Sequence, residues 1–340
     1  MRATVVRVLS MATTALVAGA CGRFGFAPDD DQDAAPRSDA MAGAPASLTL
    51  ALDRFTPAEP LIDFPLMVRL HEADLPIATL RADRRNVRFY DEDGAELGHA
   101  FDASAATGEV IAWVQVPRWS GLQTIRLEVD PLDVRHPAPA SPWSDAYVFV
   151  HHLDGMANAL GAGFALAPAL AAPASAPALS GDGLRFDAAL AQCLAIADDP
   201  ALRGEAWTVS AWHRPSRVPS KAEPWITAVA RQEGDWVLDD FAIGPRAEDE
   251  PGAWHHVAYV LAGGLVEGFR DSESEGAPRV TTGDSPNPIH VGCDQNLDVL
   301  GEFFDGTLDE VRFERVARSA AWLAADVASV ADQVISVVAP

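Results

Sequence analysis

Apolar side chains recur at every second position through much of this chain. Leu48, Leu50 and Leu52 share one face of a run; Phe64, Leu66, Val68 and Leu70 do the same, as do Val110, Ala112, Val114 and Val116, and then Ile125, Leu127 and Val129. Successive side chains of an extended strand point to opposite faces, so this period marks strands with one face on a core. Strands of that kind pack sheet against sheet. The pattern returns after the Asp305-Gly306 turn, where Leu308, Glu310 and Arg312 alternate with Asp309, Val311 and Phe313. The 25 Gly and 25 Pro fit an all-β chain with many turns, and its 340 residues provide material for two cores. One helical stretch stands out. Ser319 can cap residues 320–331, which carry apolar Trp322, Val327 and Val330 and should pack on the second sandwich, and residues 334–338 read as a last strand.

The formal net charge is -24, from 25 Lys and Arg against 49 Asp and Glu, with no local basic patch. Nucleic acid is therefore excluded as a partner. Residues 1–20 place Arg2 and Arg7 before a short apolar run that ends in small residues, the pattern of a signal peptide. Val17-Ala18-Gly19-Ala20-Cys21 resembles the bacterial lipobox, with Ala18 where Leu is preferred. The resemblance implies acylation at Cys21, and Gly22 after it implies an outer-membrane destination in a Gram-negative cell. Membrane attachment is then through the lipid alone. Residues 21–45 are rich in Asp, Ala and Pro and read as a disordered tether. The first β-sandwich spans 46–130, a Pro-rich link 131–144, and the second sandwich 145–338.

Within the first sandwich, Phe64-Pro65-Leu66-Met67-Val68-Arg69-Leu70, Val87-Arg88-Phe89-Tyr90-Asp91 and Ala112-Trp113-Val114-Gln115-Val116-Pro117 resemble an uncharacterised bacterial β-domain. That domain precedes laminin-G-like domains in exported proteins, and no activity carries over from it. In the second sandwich the matching motifs are Leu184-Arg185-Phe186-Asp187, the run 207–212, Trp254-His255-His256-Val257-Ala258, Ile289-His290-Val291-Gly292, the run 304–313 and the closing run 317–322. Together they resemble a laminin-G-like domain, a jelly roll of the concanavalin A-like class. The resemblance implies binding of a glycan or protein ligand at the cell envelope. The fold alone assigns no function.

Cys193 and Cys293 remain as an even pair once Cys21 is acylated. Leu194 and Ile196 mark one core face and Ile289 and Val291 another, so both cysteines point the other way and form either a disulfide or two buried thiols. After Val291-Gly292, the run Cys293-Asp294-Gln295-Asn296 is similar to the calcium loop of the pentraxins, with Asn296 where that pattern has Asp. This similarity implies calcium at Asp294 and Gln295, with Asp298 compensating and Glu233 and Asp235 supplied by a second loop. The other reading makes all five solvated turn residues. Trp119, Trp143 and Trp225 lie near Pro or Gly in expected loops, where a flat ring can stack on a sugar; Trp225 is the ligand-binding candidate.

The histidine doublets His151-His152 and His255-His256 each offer one ligand per side of a sheet, so neither makes a metal site alone. Asp91-Glu92-Asp93-Gly94 is read as a hairpin turn, and Asp271 to Gly276 as a solvated loop. Retaining glycosidases of the concanavalin A-like class set two carboxylates on one strand face. Asp309 and Glu310 are adjacent and, on strict alternation, face opposite ways, so no catalytic residues are assigned. The expectation is an anchored binding protein. A glycoside-processing enzyme and a purely structural envelope protein are the alternatives.

Overall fold

The computed structural model describes residues 46–75, 80–102, 109–130, 139–220, 227–232, 239–281, 285–296 and 299–338. Strands β1 (Ala46–Leu52), β2 (Leu61–His71), β3 (Val87–Tyr90), β4 (His99–Phe101), β5 (Glu109–Trp119) and β6 (Thr124–Val129) build the first sandwich. β2, β5 and β4 pair in one sheet; β1, β6 and β3 pair in the other. The side chains that close its core are those the alternation marks, among them Leu50, Leu52, Phe64, Leu66, Val68, Val114, Ile125 and Leu127. After β3 the chain turns as expected. Gly94 N–H donates to Asp91 O at 3.1 Å with Gly94 at φ 81°, and the Asp91 carboxylate accepts the Asp93 and Ala95 amides.

The second sandwich comprises β7 (Tyr147–His151), β8 (Ala167–Pro168), β9 (Ala174–Pro177), β10 (Asp182–Phe186), β11 (Leu194–Ile196), β12 (Ala206–Pro215), β13 (Val229–Gln232) and β14 (Asp239–Ile243). It continues with β15 (His255–Ala262), β16 (Leu265–Arg270), β17 (Glu273–Ser274), β18 (Arg279–Val280), β19 (Ile289–Val291), β20 (Asp294–Asn296), β21 (Val299–Gly301) and β22 (Gly306–Glu314). Among the described residues, one sheet runs β17-β16-β15-β12-β22-β10-β9 with β18 beside β16 and β7 beside β22; the other runs β14-β13-β19-β11-β8. Phe149, Phe186, Leu194, Trp207, Val291, Leu308, Val311 and Phe313 fill the space between them. This is an all-β chain of jelly-roll type.

Two features decide how the sandwiches meet. Met67, Ile111 and Trp113 point out of the first core and are buried against Trp143, Tyr147, Val150 and Trp212. The outer face of β2-β5-β4 thus lies on the outer face of the β12-β22-β7 region, and four sheets are stacked. The second feature is the C-terminus. In α1 (Ala320–Val330), capped by the Ser319 hydroxyl accepting Trp322 N–H at 3.1 Å, the residues Trp322, Leu323, Ala325 and Ala328 join the first core. Ala258, Val260 and Phe269 of the second sandwich meet them there. The helix therefore bridges both sandwiches, whereas the sequence pointed to the second only. Beyond it, β23 (Ile335–Val338) pairs antiparallel with β1, with Leu50 opposite Val337. The described residues form one compact unit.

Two tryptophans that the sequence placed in expected loops, where stacking on a sugar was one reading, are buried. Trp119 ends β5 and packs on Phe55 and Phe64 at centroid distances of 5.7 and 5.4 Å. Trp143 lies between the sandwiches, 5.1 Å from Trp113 and 5.0 Å from Tyr147. Neighbouring Pro or Gly marked a chain turn in both cases but not exposure, so neither ring is available to a sugar.

Candidate functional site

A groove of about 900 Å³ opens from the gap between the two sheets of the second sandwich. Val257, Tyr259 and Val266 form its floor and also belong to, or pack on, the core. Alternation along β15 sends Val257 and Tyr259 inward, while His256 and Ala258 point toward the first sandwich. Tyr259 reaches across to donate its hydroxyl to Ala242 O at 3.0 Å, tying the two sheets together at this edge. Gly268 lies alongside the ring: a Cβ there would stand 3.1 Å from Tyr259 Cε1 and 3.3 Å from a Glu275 oxygen.

Charged side chains line the walls. Arg270 donates to both Asp249 oxygens at 3.1 and 3.0 Å, to Glu275 Oε1 at 2.9 Å and to Gly244 O at 3.0 Å. Arg246 takes the other Glu275 oxygen at 2.5 Å. Arg279, from β18, stands over the Tyr259 ring at 5.9 Å. On the other wall Thr227 donates its hydroxyl to Glu302 at 3.2 Å. Glu275 was read from sequence as part of a solvated loop; its side chain is only 12 % exposed because two arginines hold it. The signal was weak, since Arg246 lies 29 residues from Glu275. Behind the groove, burial and then the Arg270 charge push the His213 imidazole well below its ordinary pKa.

Of the residues nominated from sequence, Trp225, Glu233, Asp235, Asp298 and Cys21 lie outside the described residues. Ser220 and Thr227, on either side of Trp225 in sequence, line the groove. Asp294 opens β20, is 7 % exposed, and accepts the Gln295 amide at 2.6 Å. The hairpin of β20 and β21 leads directly to Glu302, so Asp294 and Gln295 sit on the strand pair next to the groove. Cys193 and Cys293 are joined as a disulfide with Cα atoms 5.5 Å apart. Leu194 pairs with Val291, and Gly292 at φ 89° turns the chain so that Cys293 reaches Cys193. Only glycine fits there, because the Phe186 ring stands 2.2 Å from where a Cβ would be.

A second polar cluster is buried between the sandwiches. Ser210 pairs with Arg312 and Trp212 with Asp309, so β22 carries one extra residue over this span, with Glu310 at φ 51°. This bulge corrects the alternation. Leu308 and Val311 both enter the core, and Asp309 and Glu310 both leave it toward the first sandwich. Asp309 accepts Ser180 N–H at 2.7 Å. Glu310 pairs with His152 Nδ1 at 2.7 Å and with Arg312 at 2.8 and 3.1 Å, and Arg312 reaches Asp326 at 2.8 Å. Burial alone would raise the Glu310 pKa, but the His152 and Arg312 charges outweigh it and hold the carboxyl at about 2. Burial and the Glu310 charge push Asp309 well above the usual carboxylate range.

A family model of the concanavalin A-like lectin/glucanases superfamily, laminin-G type, matches residues 191–324. The chain contains a concanavalin A-like domain. No curated protein matches it. Among solved structures it is similar to domain 4 of AbnA, an extracellular arabinanase from Geobacillus stearothermophilus, in complex with arabinotriose: 14% identity, 54% of this chain and 98% of that one, TM-score 0.40. It is also similar to the binding domain of Paraclostridial Mosquitocidal Protein 1, at 10% identity, 54% and 52% coverage and TM-score 0.41. The binding domain of botulinum neurotoxin DC, in complex with rat synaptotagmin II, gives 8% identity, 55% and 52% coverage and TM-score 0.38. The chain thus spans about half the length of the two toxin chains. Likeness at this level says nothing of what this chain binds.

Proposed function

We propose that this chain is an exported binding protein, anchored to the outer membrane through acylated Cys21, whose second sandwich holds a glycan or protein ligand in the groove over Tyr259. The observation that supports this reading is the groove itself. It combines an apolar floor, one aromatic ring and ion-paired walls, the lining that small-ligand clefts share. Arg246 and Arg270 are clamped by Glu275 and Asp249, so the polar wall is preorganised and little ordering is needed on binding. Calcium at Asp294 and Gln295, beside the groove, belongs to the same proposal.

A glycan array followed by titration calorimetry tests the reading. Ligand binding that weakens at least tenfold in Tyr259→Ala or Arg279→Ala supports it. A protein that binds nothing on the array and no envelope protein leaves the structural role standing instead, and release of cleaved sugar would move the chain to the glycoside-processing class. Calcium titrated into the chelator-treated protein beside Asp294→Ala tests the ion: identical curves remove that site. Fractionation of cells carrying Cys21→Ser tests the anchor, since a protein that stays with the membranes is held by something else.

A further inference from the structure

We propose that Asp102, His152 and Glu310, with Asp309 beside them, bind one divalent transition ion of the zinc class at the junction of the two sandwiches. One ligand-capable atom from each of Asp102, His152 and Glu310 lies within 4.8 Å of the others. His152 Nδ1 and Glu310 Oε1, hydrogen-bonded at 2.7 Å, separate slightly to take bonds of about 2.0–2.2 Å to a shared ion, which replaces the proton between them. The three come from distant parts of the chain: Asp102 follows β4 in the first sandwich, His152 follows β7, and the bulge of β22 turns Glu310 toward them.

Asp309 is an independent pointer. It is fully buried, and its Oδ1 has no hydrogen-bond partner. Its other oxygen is held by the Ser180 amide, and the hydroxyl of that same Ser180 donates to Asp102 at 3.3 Å. The bare oxygen therefore belongs to a carboxylate that shares Ser180 with one of the three ligands. A buried carboxylate oxygen with nothing to accept from is costly, and an ion relieves that.

The donor set selects the metal. Calcium and magnesium favour all-oxygen shells, whereas an imidazole with carboxylates suits zinc and its neighbours. The ring of His152 is kept in place by Trp113, stacked on it at 5.6 Å and 19°. Asp102 is half-buried and the His152 side chain is 12 % exposed, so the cluster is reachable from the Asp102 side.

Zinc chloride titrated into the intact, chelator-stripped chain, with metal content measured after gel filtration, tests the proposal. The expected result is one zinc per chain with a micromolar or tighter Kd, and a higher Tm with zinc than without. Asp102→Asn, at the rim of the cluster, and Asp309→Asn, which keeps the acceptor for Ser180, should each weaken binding at least tenfold. Circular dichroism and the metal-free Tm establish that both variants are folded. No zinc retained by the wild-type chain overturns the proposal, as does equal binding by wild type and both variants. Tighter retention of calcium or manganese than of zinc overturns the metal assignment. The groove ligand plays no part in this readout, so the outcome is separate from that of the binding function.

Discussion

Arg312 shows how much one side chain carries in the junction. It is buried, bonded to Glu310 and Asp326, and its guanidinium lies 4.5 Å from the Trp113 ring centroid and 5.3 Å from that of Trp143. Removing one partner of a buried ion pair leaves the others uncompensated. Arg312→Met should therefore lower stability by about 3–5 kcal/mol in urea unfolding; a loss under 1 kcal/mol would mean that water already solvates the two carboxylates. His213 yields a pH prediction. Its Nε2 lies 3.3 Å from Arg270 and its proton affinity is depressed by burial, so the unfolded chain takes up this proton more readily than the folded one. Stability should accordingly fall as pH drops below about 6.5, the unfolded imidazole value. Urea midpoints at pH 7.5, 6.5 and 5.5 should show a shallower slope for His213→Gln than for wild type, and equal slopes would assign the effect to other groups.

At the scale of elements, β22 and the C-terminal segment were read with unequal success. The alternation in β22 located the strand but put Asp309 and Glu310 on opposite faces, because a single inserted residue leaves no mark in a hydrophobic pattern. The helix and the last strand were legible as elements, but their partner was not. Nothing in residues 335–338 says that their ladder is β1 rather than an edge of the second sandwich. Two predictions follow from that pairing and from the cap. A chain ending at Val334 leaves the edge of β1 open and should self-associate, seen as increased light scattering relative to the full chain. Ser319→Ala removes the acceptor for Trp322 N–H and should cost about 1 kcal/mol; because α1 bridges both sandwiches, the loss should appear in one shared unfolding transition.

For the whole molecule, the shared core and the disulfide decide how it unfolds. Trp113 is fully buried at the junction, and α1 links the first core to β15 and β16. Fluorescence and far-UV circular dichroism should therefore report coincident denaturation, and Trp113→Ala should lower the midpoint of both by about 3–5 kcal/mol in stability. Two separate transitions would show that the sandwiches are energetically independent. The Cys193–Cys293 bond closes a loop of 100 residues, which in the chain-entropy model contributes about 4.7 kcal/mol. Alkylation of the denatured, unreduced protein should label neither cysteine, and reduction should lower stability by an amount of that order.

The sequence by itself determined the strands and the class of fold, because a period of two is a local property that each strand carries whatever it packs against. It also nominated Cys193 with Cys293, since core faces on either side constrained both. Only the tertiary structure decided what lies on the second face of each strand. Met67, Ile111 and Trp113 are apolar on a side the alternation leaves unassigned, and they cover the second sandwich. The groove and the buried cluster belong to the same category. Arg246 and Glu275, or Asp102, His152 and Glu310, meet only after sheets stack and a bulge turns one strand. Contacts across such separations depend on chain topology and register, which no window of sequence contains.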